Sequence, residues 1–163
     1  MTEILISIQP KWIEKIMNLS KRWEMRKRRP KEPGPYRVYI YQTENGGVIG
    51  EFVCDCFQEV GPGEITKEVL RDTMLSLKEA LDYAGGMTVY LWRIRSLIEY
   101  SKPRPLSAYG LQRPPQSWCY VNTQWKKVEG VRVENGQIII EPKGGDPDAE
   151  KQCAADSAQT AEM

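Results

Sequence analysis

Not one of the 163 residues is a histidine. That absence excludes a Ser-His-Asp or Cys-His relay built within this chain, and any zinc site that needs imidazole. Acid–base chemistry, where there is any, falls to Lys, Glu, Asp, Tyr or Cys. Cysteine is scarce too: the four thiols, Cys54, Cys56, Cys119 and Cys153, are spread over the chain and give no disulfide framework. No apolar core of a secretory signal follows Met1-Thr2-Glu3. Nor does any stretch approach the roughly 18 consecutive apolar residues of a spanning helix. The expectation is a cytoplasmic protein with no membrane role.

What is present suits one domain with an appendage, since 40% apolar content is enough to bury a single core. The net charge of +1 hides an asymmetry. Residues 1–130 carry 20 Lys and Arg against 15 Asp and Glu, a balance of +5, while residues 131–163 carry 3 against 7, a balance of −4. Basic charge is densest from Ser20 to Lys31, where seven cations surround Glu24 and Trp23. A run of this kind is either a solvated surface or the footprint of a phosphate backbone with a stacked base.

Glu3 to Ile8 reads as a buried strand, ended by Pro10, whose fixed φ and missing N–H suit the first turn of a helix over about Lys11 to Leu19. Trp12, Ile13, Ile16 and Met17 share one side of that helix, which is read as its core face. After Ser20 the period changes to two, so Glu24 and Arg26 project from one face of an extended segment and Lys21 can reach back over it. Pro30, Pro33, Gly34 and Pro35 stiffen the next loop. Tyr36–Tyr41 is a strand, Glu44-Asn45-Gly46-Gly47 a turn in which glycines supply positive φ, and Val48–Phe57 the returning strand. Cys54 and Cys56 then point to the same side as small buried thiols; a metal site would need two further soft ligands, of which Cys119 is one candidate.

Thr66 and Ser76 are candidate N-caps for one long or two short helices ending at Gly85-Gly86, and Ser76 to Glu79 has capping-box spacing. Thr88–Tyr100 reads as the longest strand, Lys102–Gln116 as an irregular loop, and Ser117–Val121 as a final core strand. In Val131–Ile140 the Asn135-Gly136 pair predicts a hairpin. Beyond Pro142 the composition predicts a disordered acidic tail.

This order of elements resembles the ASCH domain, a family with the PUA-like fold. The likeness is carried by Ser20-Lys21-Arg22-Trp23-Glu24-Met25-Arg26, Tyr39-Ile40-Tyr41 and Val48-Ile49-Gly50-Glu51-Phe52. Further on it rests on Tyr83-Ala84-Gly85-Gly86, Leu91-Trp92-Arg93-Ile94, Lys102 to Ser107 and Pro115 to Val121, in the version found in phages and bacterial mobile elements. Lys21, Glu24 and Arg26 match the family motif Gly-x-Lys-x-x-Glu-x-Arg, with Ser20 taken to stand where Gly is usual. The resemblance implies an α+β fold: a small PUA-like β-barrel flanked by two or three helices over residues 1–125, then a hairpin extension over 126–142 and a disordered tail over 143–163.

The resemblance also implies RNA binding in a cleft where Lys21, Glu24 and Arg26 converge. Lys21 and Arg26 would contact phosphate or a base carbonyl, Glu24 would accept from an exocyclic amine, and Trp23, Tyr41 or Trp118 would stack a base. Trp118 at the edge of a final strand reads more readily as core. Arg28, Arg29 and Lys31 would form a basic rim, with Arg104 and Arg113 as secondary contacts. The opposing reading of the three motif residues is a structural ion-pair set.

Some small bacterial members of the family are amidohydrolases that deacetylate N4-acetylcytidine, which gives an alternative in which Lys21 and Glu24 are catalytic. There the third position after the Lys is a Thr, and here it is Glu24, which would hold Lys21 charged; Glu24 itself would then be the base, with Glu79 as a possible second carboxylate. No cofactor or metal is implied, the partner is RNA or a nucleoside ligand, and the oligomeric state is left open.

Overall fold

A computed structural model of the chain describes residues 1–123 and the strands Val131–Glu134 and Gln137–Ile140. By internal contacts the chain divides into Met1–Gln124 and Trp125–Met163. In the first unit the central strand β1 (Thr2–Ile8) holds Ile4, Leu5 and Ile6 fully out of solvent. Such a continuous apolar run fits a strand covered on both faces. Its alternation sends Ile4, Ile6 and Ile8 to one core, and Leu5 to another with Tyr39, Tyr41 and Tyr109.

Pro10 opens α1 (Pro10–Met17), which buries Ile16 and packs Trp12, Ile13 and Met17 against the first core. It stops two residues short of the expected end, because Leu19 turns to φ 64°. The extended segment that follows is β2 (Trp23–Arg26). The chain then forms β3 (Tyr36–Gln42), β4 (Gly47–Cys54) and β5 (Phe57–Val60). Two helices follow, α2 (Lys67–Thr73) and α3 (Leu77–Ala84). The Thr66 hydroxyl caps the first, a full capping box between Ser76 and Glu79 starts the second, and Gly85 ends it in the left-handed region.

The remaining strands of this unit are β6 (Val89–Arg93), β7 (Arg95–Arg104) and β8 (Trp118–Tyr120). One sheet has the order β7-β4-β3-β1-β8, with β1 parallel to β3; the other has the order β2-β6-β5. Among the described residues the fold is α+β with three α-helices, as expected, and no hydrogen-bonded ladder joins the two sheets into the expected barrel. The first core lies between the five-stranded sheet, α1 and Trp92, and the second between the three-stranded sheet and α2 and α3.

Four local expectations are corrected. Thr88–Tyr100 is two strands, since the chain changes sheet at Ile94 and Ser96 takes φ 49°. Strand β7 then runs on through Lys102 to Arg104. Val48–Phe57 likewise breaks after Cys54, which is buried and donates to the Cys56 carbonyl, so the two thiols do not share a strand face. In the turn after β3 positive φ falls on Glu44, Asn45 and Gly47 and not on Gly46. In the second unit β9 (Val131–Glu134) pairs with β10 (Gln137–Ile140) in the register expected of a two-residue Asn-Gly turn. The expected acidic tail lies outside the described residues.

Candidate functional site

The stretch from Ser20 is fixed by backbone bonds at both ends. The Lys21 N–H donates to the Lys15 carbonyl (2.8 Å), which folds the chain back along α1, and Arg22 donates to Asp72 O (2.9 Å). Counted back from Lys21, the spacing Gly-x-Lys falls on Leu19 and not on Ser20, and Leu19 is the residue with left-handed backbone. The expectation for Ser20 is corrected accordingly.

In β2 the alternation places Met25 in the second core, with Trp23 packed against it, and turns Glu24 and Arg26 the other way. Lys21 reaches the same place from the helix exit. Its Nζ lies 3.2 Å from Glu24 Oε2 and donates to Thr73 O at 2.6 Å. Arg26 Nη2 lies 2.9 Å from Glu24 Oε1 and donates to Ser7 O at 2.8 Å, while Nη1 donates to Ser117 Oγ at 3.2 Å. Lys21, Glu24 and Arg26 are only 3, 7 and 9% exposed. Burial would raise the Glu24 carboxyl, but the ammonium of Lys21 and the guanidinium of Arg26 outweigh it and hold the pKa below the usual carboxylate value. The carboxylate is therefore charged at neutral pH. Two polar atoms of the cluster, Glu24 Oε2 and Arg26 Nε, have no hydrogen bond among the described residues.

These three side chains line a cavity of about 500 Å³. Trp12 of α1 and Tyr83 of α3 contribute aromatic wall, and Gln9, Thr43 and Gln116 contribute neutral polar groups. Lys11 at the start of α1 and Glu79 of α3 also line it, and face each other at 3.5 Å. Glu79 thus serves two roles, since its other oxygen accepts from the Ser76 N–H at 2.9 Å. That bond first, and Lys11 after it, hold its carboxyl below the ordinary range. Lys27 sits 5.3 Å from the Tyr83 ring centroid. The cavity size is that of a small-ligand pocket.

The other sequence candidates lie elsewhere. Tyr41 is 7% exposed in the third core, which removes it as a stacking platform. Trp23 is spent on the second core, and Trp118 packs against the first with its ring 5.5 Å from that of Trp92. Arg28, Arg29, Lys31 and Arg113 are exposed, and none of them lines the cavity. Arg29 lies over Phe57 and Tyr90 at 5.9 and 5.8 Å. Sequence reasoning passed over Trp12 and Tyr83 as site residues because a tryptophan on the apolar side of a helix reads as core. The available signal was the pair of lysines that flank it at Lys11 and Lys15. Among the described residues no group of three His, Cys, Asp or Glu could hold a metal ion, and no helix is long and apolar enough to cross a membrane.

Comparison with family models finds no match, and comparison with curated proteins finds none either. Solved structures do match. The ASCH protein from Zymomonas mobilis superposes with a TM-score of 0.66 at 22% identity, over 74% of this chain and 88% of that one. A serine-to-alanine mutant of it gives 0.65 at 22% identity, over 74% and 89%. A tyrosine-to-phenylalanine mutant gives 0.63 at 23% identity, over 75% and 91%. At this identity the likeness shows the fold alone: the chain has the fold of the Zymomonas mobilis ASCH protein.

Proposed function

We propose that the chain is a nucleotide-recognising, RNA-binding module whose pocket is the cavity floored by Lys21, Glu24 and Arg26. One observation carries the reading: a carboxylate held ionised between a lysine and an arginine at the bottom of an accessible cavity with aromatic walls. A charged acceptor beside planar donors matches the edge of a base, with Glu24 accepting from an exocyclic amine and Arg26 donating to a ring carbonyl. The most buried member, Lys21, is held by Thr73, Glu24 and the Trp12 face, 5.0 Å from the ring centroid, and so acts chiefly by keeping Glu24 charged and in place. Tyr83, which is more exposed than Trp12, is the stacking surface.

The test is fluorescence anisotropy with short single-stranded RNAs. Glu24→Gln keeps the shape and removes the charge, and is expected to weaken binding at least tenfold. Because breaking a buried ion pair costs about 3–5 kcal/mol of stability, the exposed Tyr83→Ala is measured beside it and is expected to lose about 1–3 kcal/mol of binding through stacking alone. RNA binding that is unchanged in both variants, with both folded by circular dichroism, would remove the cavity from the reading.

A second reading, deacetylation of N4-acetylcytidine, is favoured by one feature: Lys21 lines the same cavity as the carboxylates Glu24 and Glu79, with Asp82 as a third. The Glu24 and Glu79 carboxyls are held below their ordinary pKa, which makes each a weaker base. Cytidine release from N4-acetylcytidine that is abolished in Lys21→Ala would put this reading first; no release at high protein concentration leaves the binding module.

A further inference from the structure

Cations gather on the ring of Trp12, although the cavity it borders carries three cations, Lys11, Lys21 and Arg26, against three carboxylates, Glu24, Glu79 and Asp82. Three ammonium groups surround this one indole, Lys11 at 4.6 Å, Lys15 at 4.8 Å and Lys21 at 5.0 Å from the ring centroid. The ring quadrupole attracts each of them, but they repel one another. Lys21 is matched by Glu24, whereas Lys11 has only the half-exposed Glu79 at 3.5 Å, an ion pair of the weak solvated kind. Asp82, which also lines the cavity, pairs with Lys78 at 2.5 Å, and Glu14 stands on α1 between Lys11 and Lys15. The start of α1 adds positive potential: Gln9 gives no side-chain cap and the first turn holds no acidic residue. Pro10 brings no N–H and the Trp12 N–H donates to Gln9 O at 3.0 Å, so what the start of α1 adds is the positive end of the helix dipole beside the cavity that Gln9, Lys11 and Trp12 line.

We propose that Lys11, which lines the cavity, and Lys15, outside its lining but over the same Trp12 indole, form a phosphate subsite at the edge of the cavity. The ligand is then a phosphorylated nucleotide, free or within a strand, and not a bare nucleoside. This rests on the nucleotide reading of the cavity and narrows it. Glu79 is the internal competitor: it occupies Lys11 in the empty protein, and an incoming phosphate takes its place with a stronger charge-assisted contact. The base edge goes to Glu24 and Arg26 and the phosphate to the lysines.

The experiment measures affinity for the four ribonucleosides, their 5′- and 3′-monophosphates, and a five-nucleotide RNA on the full chain at low salt. Expected are monophosphates binding at least tenfold tighter than the matching nucleosides, and most of that preference lost in Lys11→Ala/Lys15→Ala. The Glu79→Gln variant keeps the capping-box geometry, since Gln serves there as Glu does, and is expected to tighten monophosphate binding severalfold. Equal affinity for nucleosides and monophosphates overturns the subsite, as does a preference that survives the double substitution. Should only the RNA bind, the double variant is compared with Lys67→Ala/Lys102→Ala, two exposed lysines off the cavity. Equal weakening by the two pairs then also overturns it, and a larger loss from Lys11 and Lys15 supports it. A protein that binds none of these ligands overturns the nucleotide reading as well, which keeps the two failures apart.

Discussion

Leu19 is an uncomfortable residue in a necessary place. It sits at φ 64° with 64% of its surface exposed, so it bears the steric cost of left-handed backbone and gains little from burial. For a residue with a Cβ that cost is roughly 1–2 kcal/mol, against about 0.5–1 kcal/mol of extra chain entropy that a glycine loses on folding. Leu19→Gly is therefore expected to leave stability unchanged or raise it by about 0.5–1 kcal/mol, read as a midpoint shift in urea unfolding. A clear loss would mean that the Leu19 side chain holds the α1 exit by contact. The turn matters because it aims Lys21 back under Trp12, and Lys21 is what keeps Glu24 charged. The motif residues Lys21, Glu24 and Arg26 were legible from their spacing, since period two puts the acid and the arginine on one face. The aromatic wall was not, because Trp12 both packs against the core and borders the cavity, and a sequence pattern records only the first.

Among the elements, the junction where the chain leaves one sheet for the other is stitched by Asp55, in the break between β4 and β5. Its carboxylate accepts from Arg93 Nε and Nη2, both at 2.7 Å, and from Arg95 Nη1 at 3.2 Å. The two arginines lie on either side of Ile94, where the sheet changes. Hydrogen bonds from Arg93 foremost hold the Asp55 pKa down, from 3.8 to about 2. A depressed carboxylate contributes stability above its unfolded value and loses it as pH falls through the folded one, so the window here runs from about pH 4 down to about pH 2. The site is partly exposed, which limits the contribution to about 1 kcal/mol. Asp55→Asn is expected to lower the melting temperature by about 2–4 °C at pH 6 and by much less near pH 2. A gap that persists at pH 2 would place the effect outside the ion pair. This crossing was illegible in the sequence: Thr88 to Tyr100 alternates without interruption, and only a partner on each side shows that its two halves belong to different sheets. Both short helices, by contrast, were marked by hydroxyl N-caps, and the Asn-Gly hairpin by the pair that favours its turn. Local chemistry sets such boundaries, and long-range pairing sets the others.

For the molecule as a whole, the proposal of RNA binding raises the question of how a domain of modest net charge would draw in a polyanion. The exposed cations after β2, namely Arg28, Arg29 and Lys31, do not line the cavity, so they cannot read a base. Their contribution would be to the field that gathers the strand and to the counterions it releases on binding. The two sets of residues should then separate in a salt titration. Replacing Arg28, Arg29 and Lys31 with Gln is expected to weaken binding to the same degree for every RNA sequence. The slope of log affinity against log salt should also become shallower by roughly 2, as three lost phosphate contacts require for a single strand. Tyr83→Ala should instead lower affinity at all salt concentrations and leave the slope as it was, because stacking releases no counterions. If the triple substitution changes neither affinity nor slope, these cations only keep the chain in solution, and the strand must be held entirely by the cavity and the lysines around Trp12.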